Sequence, residues 1–262
     1  MKNTLLLVDP QNDFCEPSGA LFVPGAVEDC ARLSSFLQKN KAHFSDILVT
    51  LDLHPNFHIA HPVFWIDKNG NNPEPYTTIT YKHFEEGLYR PAVSSLELQV
   101  EKYLLTLENK ARYNLTVWPP HCLMATWGAC VQKDIYEAIS LWEKHHLGKN
   151  AEYINKAPNP YTEHYSAVQA EVPIPSDPST RTNFTFIDYL KKADHVYVAG
   201  EALSHCVANT LRDLCVYIPA KKVTVLTDCT SPVKGFEDVG LAFVDEYSAK
   251  GMLFKTSTEI QF

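Results

Sequence analysis

Short, unbroken apolar runs recur along the chain at residues 4–8 (TLLLV), 46–51 (DILVTL), 152–154 (EYI), 195–199 (HVYVA) and 222–226 (KVTVL). Runs of this length with little polar alternation predict strands covered on both faces, as in a parallel sheet. Between them, apolar positions recur every three or four residues, which predicts helices over 27–37, 131–144, 183–192, 204–214 and about 237–250. Strands alternating with helices imply an α/β chain: three layers, α/β/α, around a central and mainly parallel sheet with right-handed crossovers.

The segment from about residue 62 to residue 117 breaks this rhythm. It contains NGNNPEP, several aromatic residues and one predicted helix at 94–107, and reads as an insertion or lid within a single domain spanning 1–262. Phe64, Trp65, Tyr76 and Tyr81 predict a small satellite core there, with a pocket or interface lining as the other reading. Residues 157–182 are also proline-rich and irregular.

Composition narrows the function classes. The 262 residues are 45% hydrophobic and 21% charged, which suits a chain that buries a sizeable core. A formal charge of −8 and no basic run argue against nucleic-acid or anionic-membrane binding, because phosphate contacts need clustered Lys and Arg. The N-terminal apolar run is too short for a signal peptide or a membrane span, so a cytoplasmic protein is expected. The seven cysteines stand singly, without CxxC or zinc-finger spacing, and read as reduced thiols.

Ligands of open α/β sheets bind beyond the carboxyl ends of the strands, so the residues just past each run carry the chemistry. Asp9 follows the first run, Asp52 and His54 the second, Lys156 the third and the Cys206 segment the fourth. Cys206 is expected near the first turn of the 204–214 helix, where unsatisfied N–H groups favour a thiolate and stabilise an oxyanion. Asp9 as proton acceptor and Lys156 as cation complete a Cys-Asp-Lys triad. Taken singly, Asp9 also fits a capping carboxylate and Lys156 a surface charge. Asp52, His54 and the proline-flanked His121 can converge on zinc, iron or manganese, or the histidines can simply cap loops; His58 and His61 are further candidates.

Five segments together resemble the nicotinamidase and isochorismatase-like cysteine hydrolases: LLLVDPQNDFCEPSGALFVPGA (5–26), TLDLHPNFHIAHP (50–62), WPPHCLMATWGA (118–129), Lys156 ahead of YSA (165–167), and GEALSHCVANT (200–210). The resemblance implies the isochorismatase-like hydrolase fold. It gives Asp9 the role of general base and acid, Lys156 that of the triad cation and Cys206 that of the nucleophile, with Asp52, His54 and His121 as metal ligands. It further implies a cis peptide at Glu201–Ala202, an oxyanion hole from the N–H groups of Ala202 and Cys206, and an aromatic substrate ring held between Phe14 and Trp118. The long insertion and Glu201 in GEALSHCV depart from compact members and put the substrate in doubt.

The expected activity is hydrolysis of nicotinamide to nicotinate and ammonia through a cysteine thioester, with a divalent metal, zinc first, as cofactor. The competing readings are a related hydrolase of another small amide or ureido compound, a metal-only hydrolase and a silent binding module. The expected partner is a small amide, with no nucleic acid and no membrane. Homo-oligomers are common in the family, so an assembly of identical chains is entertained.

Overall fold

The computed structural model describes residues 1–110 and 112–262; Ala111, inside the expected insertion, lies outside the described residues. In chain order the first half holds β1 (Asn3–Val8), α1 (Asn12–Cys15), α2 (Ala26–Asn40), β2 (Phe44–Asp52), β3 (Trp65–Asp67), β4 (Thr78–Ile79), α3 (Tyr81–Glu85), β5 (Tyr89–Pro91), α4 (Glu97–Asn109) and β6 (Leu115–Thr116). The second half holds α5 (Lys133–His145), β7 (Glu152–Lys156), α6 (Phe184–Lys191), β8 (His195–Gly200), α7 (Ala208–Leu214), β9 (Val223–Leu226), α8 (Glu237–Ala249) and β10 (Leu253–Lys255).

Six strands form one parallel sheet in the order β10-β9-β8-β1-β2-β7. The chain starts at the centre, winds outward to β7, then returns past β1 to build the other half. Right-handed crossovers in opposite directions put helices on opposite faces, which yields the three layers. β1 is buried at every position and β9 likewise. The edge strands β7 and β10 are the exposed ones, with Glu152 and Lys255 in solvent, although Lys156 at the end of β7 is buried.

Two elements differ from expectation at the ends of the sequence signal. β10 is three residues of half-exposed edge strand and α1 a single turn, both too short to show a period. A third difference matters more: the expected 204–214 helix is in fact a π-helical turn, Leu203–Val207, followed by α7. Cys206 therefore sits in the π turn and not in the first α-helical turn.

The 62–117 region consists of two small antiparallel pairs, β3 with β5 and β4 with β6, together with α3 and α4. Phe64 and Trp65 are fully buried, with the Trp65 indole donating to the Ile59 carbonyl at 2.6 Å, whereas Tyr76 is 56% exposed. Only part of the expected aromatic core is therefore inside.

Strand register positions the site. Val8 pairs with Gly200, and Asp52 pairs with Lys156, so the residues just beyond these ends meet at one edge. Gly200 has φ +114°, and a Cβ there would lie 2.0 Å from the Val8 carbonyl oxygen. Gly200→Ala is expected to lower folding stability by about 3 kcal/mol or more, read from the urea midpoint at unchanged m-value.

Candidate active site

Asp9 follows β1 directly, in the left-handed region at φ 44°. Such a backbone is costly for a residue with a Cβ and survives where neighbours over-determine it. Here the Asp9 N–H donates to the Thr50 hydroxyl oxygen at 3.0 Å and to the Thr50 carbonyl at 3.2 Å, while the Thr50 hydroxyl donates to Asp9 Oδ1 at 2.5 Å. Gln11 then pairs with the Asp52 backbone twice, accepting from its N–H and donating to its carbonyl, each at 2.7 Å. The first two catalytic-edge loops are thereby held in register by polar side chains of the DPQNDF segment.

Lys156 ends β7 with 1% of its side chain exposed, and its ammonium is the hub. It lies 2.9 Å from Asp9 Oδ2, 3.2 Å from Asp52 Oδ1 and 3.4 Å from Cys206 Sγ, and donates to the His164 carbonyl at 2.9 Å. Burial opposes its charge, but Asp52 and Asp9 hold it well above the ordinary lysine range. Asp9 is raised above a normal carboxylate, first by burial, with Lys156 pulling the other way. Cys206 is raised well above a free thiol by burial, although Lys156 favours the thiolate.

A second group of side chains lies beside Asp52. Its Oδ2 is 3.0 Å from His54 Nε2 and 3.4 Å from His121 Nε2. The His121 Nδ1–H reaches the Pro119 carbonyl at 2.8 Å, and the His61 Nδ1–H reaches the Asn56 carbonyl at 3.2 Å. Both rings thus turn a lone-pair nitrogen inward, the arrangement that fixes a metal-binding tautomer. His54, His61 and His121 offer ligand atoms within 4.8 Å of one another, as do His54, His58 and Glu163. Buried His61 Nε2 has no hydrogen-bond partner, and burial beside His121 and His54 lowers its pKa to about 2, leaving it neutral. Inward lone pairs facing a carboxylate fit a divalent cation better than they fit one another.

Between the two groups lies a narrow cavity of about 20 Å³, lined by Phe14, Leu21, Asp52, Trp118, His121, Glu163, Tyr165, Ala202, His205, Cys206 and Val233. That is far below the roughly 300 Å³ at which small-molecule pockets begin, so the walls are closely drawn together. The Trp118 indole donates to the Tyr165 hydroxyl at 2.8 Å. Asp13 pins the loop that brings Trp118 and His121 here, accepting from the Cys122 N–H at 2.6 Å, and Gly128 is needed because a Cβ would strike the Asp13 carboxylate at 2.0 Å.

Of the residues singled out from sequence, Cys206, Ala202, Phe14, Trp118, Asp52 and His121 line the cavity, Lys156 stands behind Cys206 and Asp52 with Asp9 against it, and His54 stands behind Asp52. The Glu201–Ala202 peptide is cis. Glu163, Tyr165 and His205 were not assigned roles, although the first two stand in the TEHYSA stretch and the third precedes Cys206. The Ser204 hydroxyl, which accepts from the Val233 N–H at 3.0 Å, lies 2.8 Å from His205 Nδ1, and burial lowers the His205 pKa to about 4, so the ring that lines the cavity is neutral.

No protein-family model matches the chain. A nicotinamidase from Saccharomyces cerevisiae is 30% identical over 241 residues, covering 90% of this chain and 91% of that protein. The solved structure of yeast nicotinamidase bound to the inhibitor nicotinaldehyde superposes with a TM-score of 0.67 at 26% identity, over 97% of this chain and 99% of that one. A nicotinamidase pyrazinamidase of Acinetobacter baumanii gives 0.67 at 21% identity, over 99% and 98% of the two chains. The pyrazinamidase of Pyrococcus horikoshii in complex with zinc gives 0.60 at 21%, over 98% and 99%. At that identity the last two speak for the fold.

Removing the hub cation leaves two buried carboxylates facing each other. Lys156→Met is expected to destabilise the fold by about 3–5 kcal/mol in urea titration, and adding Asp9→Asn to recover part of the loss.

Proposed function

The chain belongs to the nicotinamidase family of isochorismatase-like amidohydrolases, and from that premise we propose that it hydrolyses nicotinamide to nicotinate and ammonia through a thioester on Cys206. The observation that carries the reading is that the Lys156 ammonium stands 3.4 Å from Cys206 Sγ and 2.9 Å from Asp9 Oδ2, with Cys206 itself in the wall of a cavity lined by aromatic residues.

Asp9 takes the thiol proton, for which its burial-raised proton affinity suits it, and Lys156 stabilises the thiolate as it forms. The sulfur attacks the carboxamide carbon. The N–H groups of Ala202 and Cys206 receive the oxyanion; among the described residues nothing accepts from the Ala202 N–H, so that donor is free for it. Asp9 returns its proton to the departing ammonia, then draws a proton from the water that cleaves the thioester. Phe14 and Trp118 hold the ring between them, and the His205 imidazole in the cavity wall is a further polar group beside it.

Asp52, His54 and His121 would hold a divalent cation, with His61 as an additional donor. Zinc is the first choice, supported by the mixed nitrogen and oxygen donors and by the zinc of the Pyrococcus horikoshii structure, and iron or manganese accept the same set. When bound, the cation supplies a Lewis-acidic position for a ring nitrogen. No helix among the described residues is long and apolar enough to cross a membrane, and seven unpaired cysteines support a reducing, cytoplasmic location.

Ammonia release from nicotinamide by the zinc-loaded protein tests the reading, and Cys206→Ala is expected to lower it at least about 10³-fold with the fold intact. Undiminished release in that variant would remove the nucleophile from the scheme. No release, with Cys206 still alkylated selectively by iodoacetamide, would keep the nucleophile and move the substrate to another amide or ureido compound. Metal removal by a chelator is expected to lower release and added zinc to restore it.

A further inference from the structure

Glu201 takes no part in the reaction above, yet it stands at the end of β8, next to Ala202, with 1% of its surface exposed. Asp29 of α2, 3% exposed, lies within side-chain hydrogen-bond reach of it. One serine serves both acids: the Ser231 N–H donates to Glu201 Oε2 at 3.1 Å and the Ser231 hydroxyl to Asp29 Oδ2 at 2.5 Å. Asp29 Oδ1 accepts from Arg32 Nη2 at 2.7 Å, but Glu201 Oε1 is buried without any donor among the described residues.

The surrounding charges do not balance two carboxylates. Arg32 of α2 is the nearby cation, and its side chain is 44% exposed and committed to Asp29. The other titratable groups facing this place are the thiols of Cys30 on α2 and Cys15 on α1, with Asp228 and Cys229 beyond Arg32 on the segment after β9. None adds positive charge. The arrangement is satisfied when the donorless oxygen of Glu201 carries a proton and gives it to Asp29. Burial first, and then the charge of Asp29, push the Glu201 carboxyl well above the usual range.

Ser231 belongs to a segment laced onto the turn that leads to Cys206. Gly200 donates to the Cys229 carbonyl at 3.0 Å, Leu203 to the Ser231 carbonyl at 2.9 Å, and Val233 to the Ser204 hydroxyl at 3.0 Å. Val233 lines the cavity. On the far side α2 presses close, since a Cβ at Gly25 would lie 2.5 Å from the Ser231 hydroxyl. Ser231 is therefore fixed from both sides.

We propose that Glu201 is a positioning residue: it keeps a proton shared with Asp29, and through Ser231 this bridge holds the segment carrying Val233 against the turn that presents Ala202 and Cys206 to the cavity. The proposal rests on that cavity being the site of amide hydrolysis.

The sign of the pH effect follows from a folded-state proton affinity higher than the unfolded one. The stabilisation is complete below the unfolded carboxyl pKa and is lost as pH rises toward the folded value. Between the unfolded carboxyl pKa and the folded one, one proton is released on unfolding, so the unfolding constant rises about tenfold per pH unit from this group alone. In urea titrations of the metal-loaded protein, Glu201→Gln, whose amide can still bond Ser231 and Asp29, is expected to lose that tenfold component. Glu201→Leu, which leaves the Ser231 N–H without an acceptor, is expected to lower kcat for ammonia release at least about tenfold with little change in KM, and Glu201→Gln to recover most of that loss. Equal pH slopes in the wild type and Glu201→Gln would overturn the proposal, as would a Glu201→Leu variant with undiminished kcat. If Glu201→Leu does not fold, the slope comparison decides alone. That comparison needs no substrate, so a slope difference without ammonia release would reject nicotinamide and leave the shared proton standing.

Discussion

The Lys156 ammonium is surrounded at 2.9 to 3.4 Å by Asp9, Asp52 and the Cys206 sulfur, all removed from water. A buried cation of this kind is unfavourable alone, and so are the two carboxylates; together they form an arrangement in which no member can leave without stranding the others. Everything else in the site answers to that constraint. The register that pairs Asp52 with Lys156 brings one ion pair, and the left-handed turn at Asp9 brings the second. The same hub divides the labour around it. Its contact with Asp9 and Cys206 faces the chemistry of the thiol, while its contact with Asp52 Oδ1 leaves Oδ2 to the histidines.

Loops that carry the aromatic walls are positioned by polar side chains with no direct role in the reaction. Gln11 copies a strand pairing against the Asp52 backbone, and Asp13 accepts from Cys122 and from Ala20, at 2.9 Å, to tie two loops to α1. Such bonds are worth more in a buried setting than their net energies in water suggest, because breaking one leaves an unsatisfied group inside. The cavity can therefore be small and closely walled although most of its lining comes from loops.

The alternation of apolar runs and helical periods made the sheet readable, because strands covered on both faces have nothing else to be. Positions just past the runs made Asp9, Asp52, Lys156 and the Cys206 segment readable by the same logic. The resemblance to known hydrolases added Ala202, Phe14 and Trp118, which spacing alone leaves as ordinary core residues. What stayed hidden has a physical reason in each case. The π turn at Leu203–Val207 differs from an α-helix by a hydrogen-bond register that side-chain periodicity does not encode. The sequence does not place the His61 ring, whose Nδ1 bonds the Asn56 carbonyl while the ring offers a ligand atom within 4.8 Å of those of His54 and His121. The depth at which Cys206 is buried, which raises its thiol, is likewise not written in the spacing of the segment.

Two buried acid groups flank the turn that leads from β8 to Cys206, and the chain neutralises them by different means. Asp9 and Asp52 face a lysine that is fully inside, so a buried cation offsets them. Glu201 and Asp29 face only the partly exposed Arg32, and Glu201 Oε1 has no donor among the described residues, so the balance there falls to a proton. A lysine at the second place would supply a competing cation close to the reacting thiol, whereas a proton adds no charge. On the reading of Glu201 proposed above, the outer pair gives the turn directional hydrogen bonds without adding a charge to the field around Cys206. The field at the sulfur is then governed by Lys156 and the two carboxylates it holds.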